Sequence, residues 1–133
     1  MSRVSTYLAA MIRLALALLI ATTASALPES HYQKIAAAIL GGKIEVTMPD
    51  RTRCDIVTNT HAIEVDWSKN WAESIGQSLN YAFQTNLRGG IILIIDDATD
   101  TKEALRINSL ILHYKLPIDL WVIDVETEAL RRW

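Results

Sequence analysis

The stretch TNTHAIEVDWSKNWAESIGQSLNY, residues 58–81, decides how this chain is read. Its first half alternates. Within AIEVDW, 62–67, Glu64 and Asp66 fall on the same side of an otherwise apolar ribbon, the period of a β-strand. The second half changes period. Ser68 stands where a helix cap belongs, and from Lys69 to about Thr85 the residues Trp71, Ile75, Leu79, Ala82 and Phe83 form an apolar side. Lys69, Glu73, Gln77 and Tyr81 recur every four residues and make a polar stripe opposite it. Gly76, a poor helix former, precedes Gln77 and leaves room for another group to approach.

Upstream, SHYQKIAAAIL, 30–40, reads as a helix, with Ser30 and Gln33 at capping-box spacing and Gly41-Gly42 as its stop. KIEVTM, 43–48, alternates as a strand with Ile44, Val46 and Met48 on one face, and Pro49-Asp50-Arg51 turns the chain. TRCDIV, 52–57, is a second strand, joined to the third by the polar loop around Asn59-Thr60. Downstream, Gly89-Gly90 marks a turn, and IILIID, 91–96, is a continuous apolar run of the kind found in interior strands. A helix from about 101 to 115 follows, with Asp100 and Glu103 as a capping box. Pro117 closes it, IDLWVI, 118–123, is a last strand, and a short helical tail runs to Trp133. The order is αβββαβαβ, an α/β fold with a mixed sheet. The last two strands are each reached through a helix and should lie parallel to a neighbour.

The chain has 133 residues, room for one domain. Residues 11–26, MIRLALALLIATTASA, carry a basic residue, an apolar run too short to span a bilayer comfortably, and a small-residue close. That is the build of a signal peptide, so 1–26 is expected to be removed and 27–133 to act as a single domain outside the cytoplasm, periplasmic or secreted, with no stable membrane association. Without Arg3 and Arg13, Lys and Arg fall from 13 to 11 against 15 acids, and the net charge becomes −4. Such a balance gives no support to broad binding of polyanions. The lone Cys54 excludes an internal disulfide.

A hairpin centred on Asn59-Thr60 pairs residues whose numbers sum to 119, which sets Asp55 opposite Glu64 and Arg53 opposite Asp66. Facing Cβ atoms in such a pair are about 4.5–5.5 Å apart, and like charges there destabilise the hairpin. A three-residue turn at 49–51 adds Glu45 opposite Asp55. Two readings of this acidic row stay open. In one, a Mg²⁺ or Mn²⁺ ion is held by Asp55, Glu64, Glu45 and Asp66. In the other, the acids occupy a wet sheet face and Arg53 neutralises Asp66. The polar stripe would border the row with Lys69 closest, although a solvated helix face explains Glu73 better and accounts for Gln77 and Tyr81 equally well. Glu29 and Gln33 are read as cap and surface residues.

These residues resemble the PD-(D/E)XK nuclease superfamily, also called restriction-endonuclease-like, whose core is a helix, a three-stranded meander, a helix and a further strand. Asp55 and Glu64-Val65-Asp66 are similar to the family's acid and acid-x-Lys, and Gln77-Ser78-Leu79-Asn80-Tyr81 is similar to the Q-x-x-x-Y motif of its RecB-like branch. The likeness covers most of 27–133 and rests on short motifs. It implies a Mg²⁺- or Mn²⁺-dependent phosphodiester hydrolase acting on nucleic acid. Asp55 and Glu64 would hold the metal, Lys69 would orient water, and Gln77 and Tyr81 would position substrate or metal-bound water. Glu45 corresponds more loosely to an additional acid. The departure is Asp66, which stands where the family has lysine; Lys69 is the candidate for a migrated one. The alternative is a nuclease-fold domain without catalysis that serves as an extracytoplasmic binding or assembly module.

His31, His61 and His113 have no zinc-site spacing. Cys54 alternates toward the apolar side and reads as a core residue. Asp96 and Asp97 end an interior strand, where ligands often sit in α/β sheets, but turn and cap acids also end strands.

Overall fold

The computed structural model describes residues 26–96 and 101–133. The expected export segment, apart from its last residue, lies outside these, as do Asp97 and the expected cap Asp100. Helix α1 (Glu29–Leu40) leads into β1 (Lys43–Thr47), β2 (Arg53–Val57) and β3 (His61–Trp67). A 3₁₀ turn at Ser68–Asn70 then precedes α2 (Trp71–Thr85), β4 (Arg88–Ile95), α3 (Thr101–Tyr114), β5 (Ile118–Asp124) and β6 (Leu130–Arg132). The six strands form one mixed sheet in chain order. β1–β2, β2–β3 and β5–β6 are antiparallel, while β3–β4 and β4–β5, each linked through a helix, are parallel. Among the described residues no helix is long and apolar enough to cross a membrane.

Burial follows the strand alternation. Ile63, Val65, Ile92 and Ile94 pack with Tyr32, Ala36 and Ala37 of α1 on one face. Ile91, Leu93, Ile95 and Leu120 pack with Trp71, Ile75 and Leu79 of α2 and Ala104 and Ile107 of α3 on the other. β4 is therefore covered on both sides, as its unbroken apolar run predicts. The stop of α1 is also as expected. Gly41 takes φ +70° and the Gly42 N–H reaches the Ala37 carbonyl at 2.9 Å, a Schellman closure.

Several expectations are corrected. α1 starts two residues earlier than a Ser30 cap allows: Pro28 precedes Glu29 with no side-chain cap, and Gln33 is drawn into the core instead. Ser68 caps nothing; the 3₁₀ turn intervenes and α2 begins at Trp71. Phe83 is 87% exposed, because a residue next to Ala82 points too far round the helix to reach the sheet. Open space surrounds Gly76.

Gly89 and Gly90 are strand residues of β4, and the turn before them is made by Asn86 at φ 55°. A Cβ on Gly89 would stand 2.6 Å from Ser78 Oγ, and one on Gly90 2.7 Å from Ile63 Cγ1. Close packing by α2 and β3, not a turn, excludes side chains there. The expected helical tail is β6, paired to β5 through Trp121–Arg132 and Ile123–Leu130. Three residues are too few for the alternation to be visible in the sequence.

Candidate functional site

The β2–β3 hairpin has the expected register, with Ile56 opposite Ile63 and Val57 opposite Ala62. At Asp55 the regular pairing is interrupted toward both neighbours. The β1–β2 ladder pairs residues 43, 44, 46 and 47 but passes over Glu45, which takes φ 57°. On the β3 side the Asp55 carboxylate inserts into the gap, and its Oδ2 accepts the Val65 N–H at 2.8 Å. The acid thus replaces a strand carbonyl.

Its neighbour is Glu64, the two side chains being within hydrogen-bonding reach of each other. Glu64 is 6% exposed, and its Oε2 has no hydrogen-bond partner. Burial, then the charges of Asp55 and Asp66, push its carboxyl up to about 9. Burial raises Asp55 to about 6 against the opposing pull of the Val65 N–H. One proton is accordingly shared by the pair near neutral pH.

Two more carboxylates adjoin. Asp66 is buried, and its Oδ1 accepts the Trp67 N–H and Asn70 Nδ2, each at 2.7 Å, which folds the 3₁₀ turn back on the strand end. Glu29, in the first turn of α1, lies within hydrogen-bonding reach of Asp66. Burial, then the charges of Asp66 and Asp55, raise it to about 7. The cap-and-surface reading of Glu29 and Gln33 therefore missed residues that face the acids. The signal was there in part: Gln33 falls one residue from Tyr32 on the buried stripe of α1, but nothing local says that this stripe ends over β2.

Glu45 takes a different course from that expected. It pairs with Arg53, and the Gln33 side chain donates to it at 2.9 Å. Arg53 does not neutralise Asp66, because the ladder opens at Asp55 and the guanidinium turns outward to Glu45. Lys69 is exposed on the 3₁₀ turn and makes no hydrogen bond or ion pair with the acids.

The rest of the stripe is a relay. Gln77 Nε2 donates to Glu73 at 3.3 Å, and the Tyr81 hydroxyl lies 3.3 Å from Gln77 Oε1. Tyr81 is buried, donates to the Arg53 carbonyl at 2.9 Å and lies within reach of Glu64. Cys54 is fully buried beside Tyr81, and burial pushes its thiol up to about 12, which suits a core residue.

The opposite end of the parallel strands provides a contrast. Asp119 accepts from His61 Nε2 at 2.7 Å, from Arg88 at 2.9 Å and from Arg132 at 2.9 Å. Although burial pushes it up, these hydrogen bonds and charges hold Asp119 down at about 2. The fold neutralises this acid with three donors and gives Glu64 none of comparable charge. Among the described residues, no three His, Cys, Asp or Glu side chains stand together as a ready-made metal cage. No family model matches the chain, and it has no significant match among curated proteins or solved structures.

Proposed function

We propose that this is an exported PD-(D/E)XK-type domain that binds Mg²⁺ or Mn²⁺ at Asp55 and Glu64, with Asp66 and Glu29 adjoining, and hydrolyses phosphodiester bonds of nucleic acid. The observation that carries the reading is the Glu64 Oε2 atom, buried without a partner beside Asp55 and Asp66, acids with which no lysine or arginine of the described residues pairs. Once ionised, a buried carboxylate of that kind is costly unless a cation binds it. Hard oxygen donors in this number suit Mg²⁺ or Mn²⁺ better than a soft metal. Bound there, such an ion supplies Lewis-acid polarisation of a phosphoryl oxygen and a more acidic water.

The chain's own residues do the rest. Asp55 and Glu64 must first give up the proton they share. Asn70 and the Trp67 N–H fix Asp66 through one oxygen, with Glu29 within hydrogen-bonding reach of its carboxylate. Gln77, next to the exposed Glu73, is the stripe residue left to meet substrate, since the Tyr81 hydroxyl is committed to Arg53. Lys69 serves as a phosphate contact.

The exposed position of Lys69 away from the acids, with the net charge of −4 expected after export, favours a second reading: the same cation site without catalysis, in a binding or assembly module. One experiment separates the two. Purified protein is incubated with linear DNA and RNA in Mg²⁺, Mn²⁺ or chelator, beside Asp55→Ala, Glu64→Ala and Lys69→Ala. Metal-dependent cleavage lost in both acid variants supports the enzyme. Metal-induced stabilisation without cleavage supports the module, and neither effect removes both.

A further inference from the structure

We propose that Gln33 and Tyr81 are positioning residues: they clamp the backbone of β2 from opposite faces of the sheet and so hold the Asp55 carboxylate against Val65 and Glu64. The inference rests on the cation-site reading for its functional consequence, not for its geometry.

The backbone accounts for it. Where regular pairing lapses at Asp55, carbonyls that a ladder would satisfy need other donors, because a buried unpaired C=O is costly. Gln33 of α1 is 4% exposed, and its Nε2 donates to the Asp55 carbonyl at 2.8 Å and to Glu45 Oε1 at 2.9 Å. Both amide hydrogens are thereby used. Tyr81 of α2, also 4% exposed, donates its hydroxyl proton to the Arg53 carbonyl at 2.9 Å. α1 packs on the face of Ile63 and Val65, whereas Tyr81 packs with Ala62, so the two donors reach β2 from opposite sides. The peptide between them carries the Cα of Asp55. With the Arg53 and Asp55 carbonyls tethered on either side of the Cys54–Asp55 link, the Asp55 side chain is left in the strand gap, where it takes the Val65 N–H and meets Glu64. Gln33 further holds Glu45, which pairs with Arg53.

The test uses the full chain and reads the Val65 amide, whose acceptor is the Asp55 carboxylate. Gln33→Met keeps the side-chain length without the donor, and Tyr81→Phe removes only the hydroxyl. Ile107→Val, in the α3 core, serves as a destabilised control. Each clamp variant is expected to speed Val65 N–H exchange at least tenfold relative to the Leu93 amide of β4. The control should move both amides together. Half-saturation by Mn²⁺ should rise about tenfold in the clamp variants and stay unchanged in the control. If Val65 exchange keeps step with Leu93 in both clamp variants, the inference is overturned. If the parent takes no Mn²⁺ but Val65 responds as stated, the clamp stands and the cation reading falls.

Discussion

Glu64→Gln should stabilise the metal-free protein at neutral pH and abolish its stabilisation by Mn²⁺. Burial and the neighbouring acids push this carboxyl up to about 9 in the fold, against an ordinary 4.5. Its folded value is raised, so the folded state holds a proton that the unfolded chain releases, and stability falls as pH rises between those two values. Between pH 4.5 and pH 7 this costs up to about 1.4 kcal/mol per pH unit, roughly 3 kcal/mol in all. Glutamine keeps the shape and never ionises, but its amide gains no certain partner in place of the Oε2 orphan. A net gain of about 2 kcal/mol at pH 7 follows, roughly 8 °C in melting temperature for a domain of this size. At pH 5 the gain should nearly vanish. Thermal melts of parent and variant from pH 5 to 9, each with and without millimolar Mn²⁺, check this. The parent should gain stability with Mn²⁺, since the ion binds the folded state, and the variant should not. A variant no more stable than the parent at pH 7, or one that responds equally to Mn²⁺, would refute the reasoning.

The shared proton has its own consequence: Mn²⁺ binding at pH 7 should release about one proton, and affinity should rise with pH toward 9, as calorimetry in buffers of different ionisation enthalpy would register. Asp119→Asn should cost about 1–3 kcal/mol at pH 7 by stranding Arg88, Arg132 and His61. Because Asp119 is held down at about 2, the parent's advantage should shrink as pH falls through that value; denaturant titrations at pH 7 and pH 2 would compare the two. Gly90→Ala should destabilise by about 1–3 kcal/mol, because the new methyl would meet Ile63 Cγ1 at 2.7 Å and the buried strands have little room to give. Phe83→Ser, at an 87% exposed position, should change stability by less than about 0.5 kcal/mol in the same titrations.

The sheet was largely legible before any coordinates. Alternation in 62–67, the unbroken apolar run at 91–95 and the helical period of 71–82 follow from which side of each element meets water, a property each residue carries with it. The turn length around Asn59-Thr60 also fixed the register that brings Asp55 to Glu64. Less was legible where two glycines serve close packing and not a turn, since Gly89 and Gly90 look alike in both roles until Ser78 and Ile63 are in place. The three-residue β6 was invisible for want of length.

Sequence alone determined that two acids sit on neighbouring strands. Only the tertiary structure decided what becomes of them, because burial and charge partners are supplied by segments remote in the chain. α1 delivers Glu29 to Asp66 and Gln33 to the Asp55 carbonyl, while Arg53 turns away to Glu45. At the other end β4 and β6 bring Arg88 and Arg132 to Asp119. The buried Glu64 and the half-buried Asp119, both strand carboxylates, thus end up at about 9 and about 2, set by burial and by which distant side chains the fold carries to each.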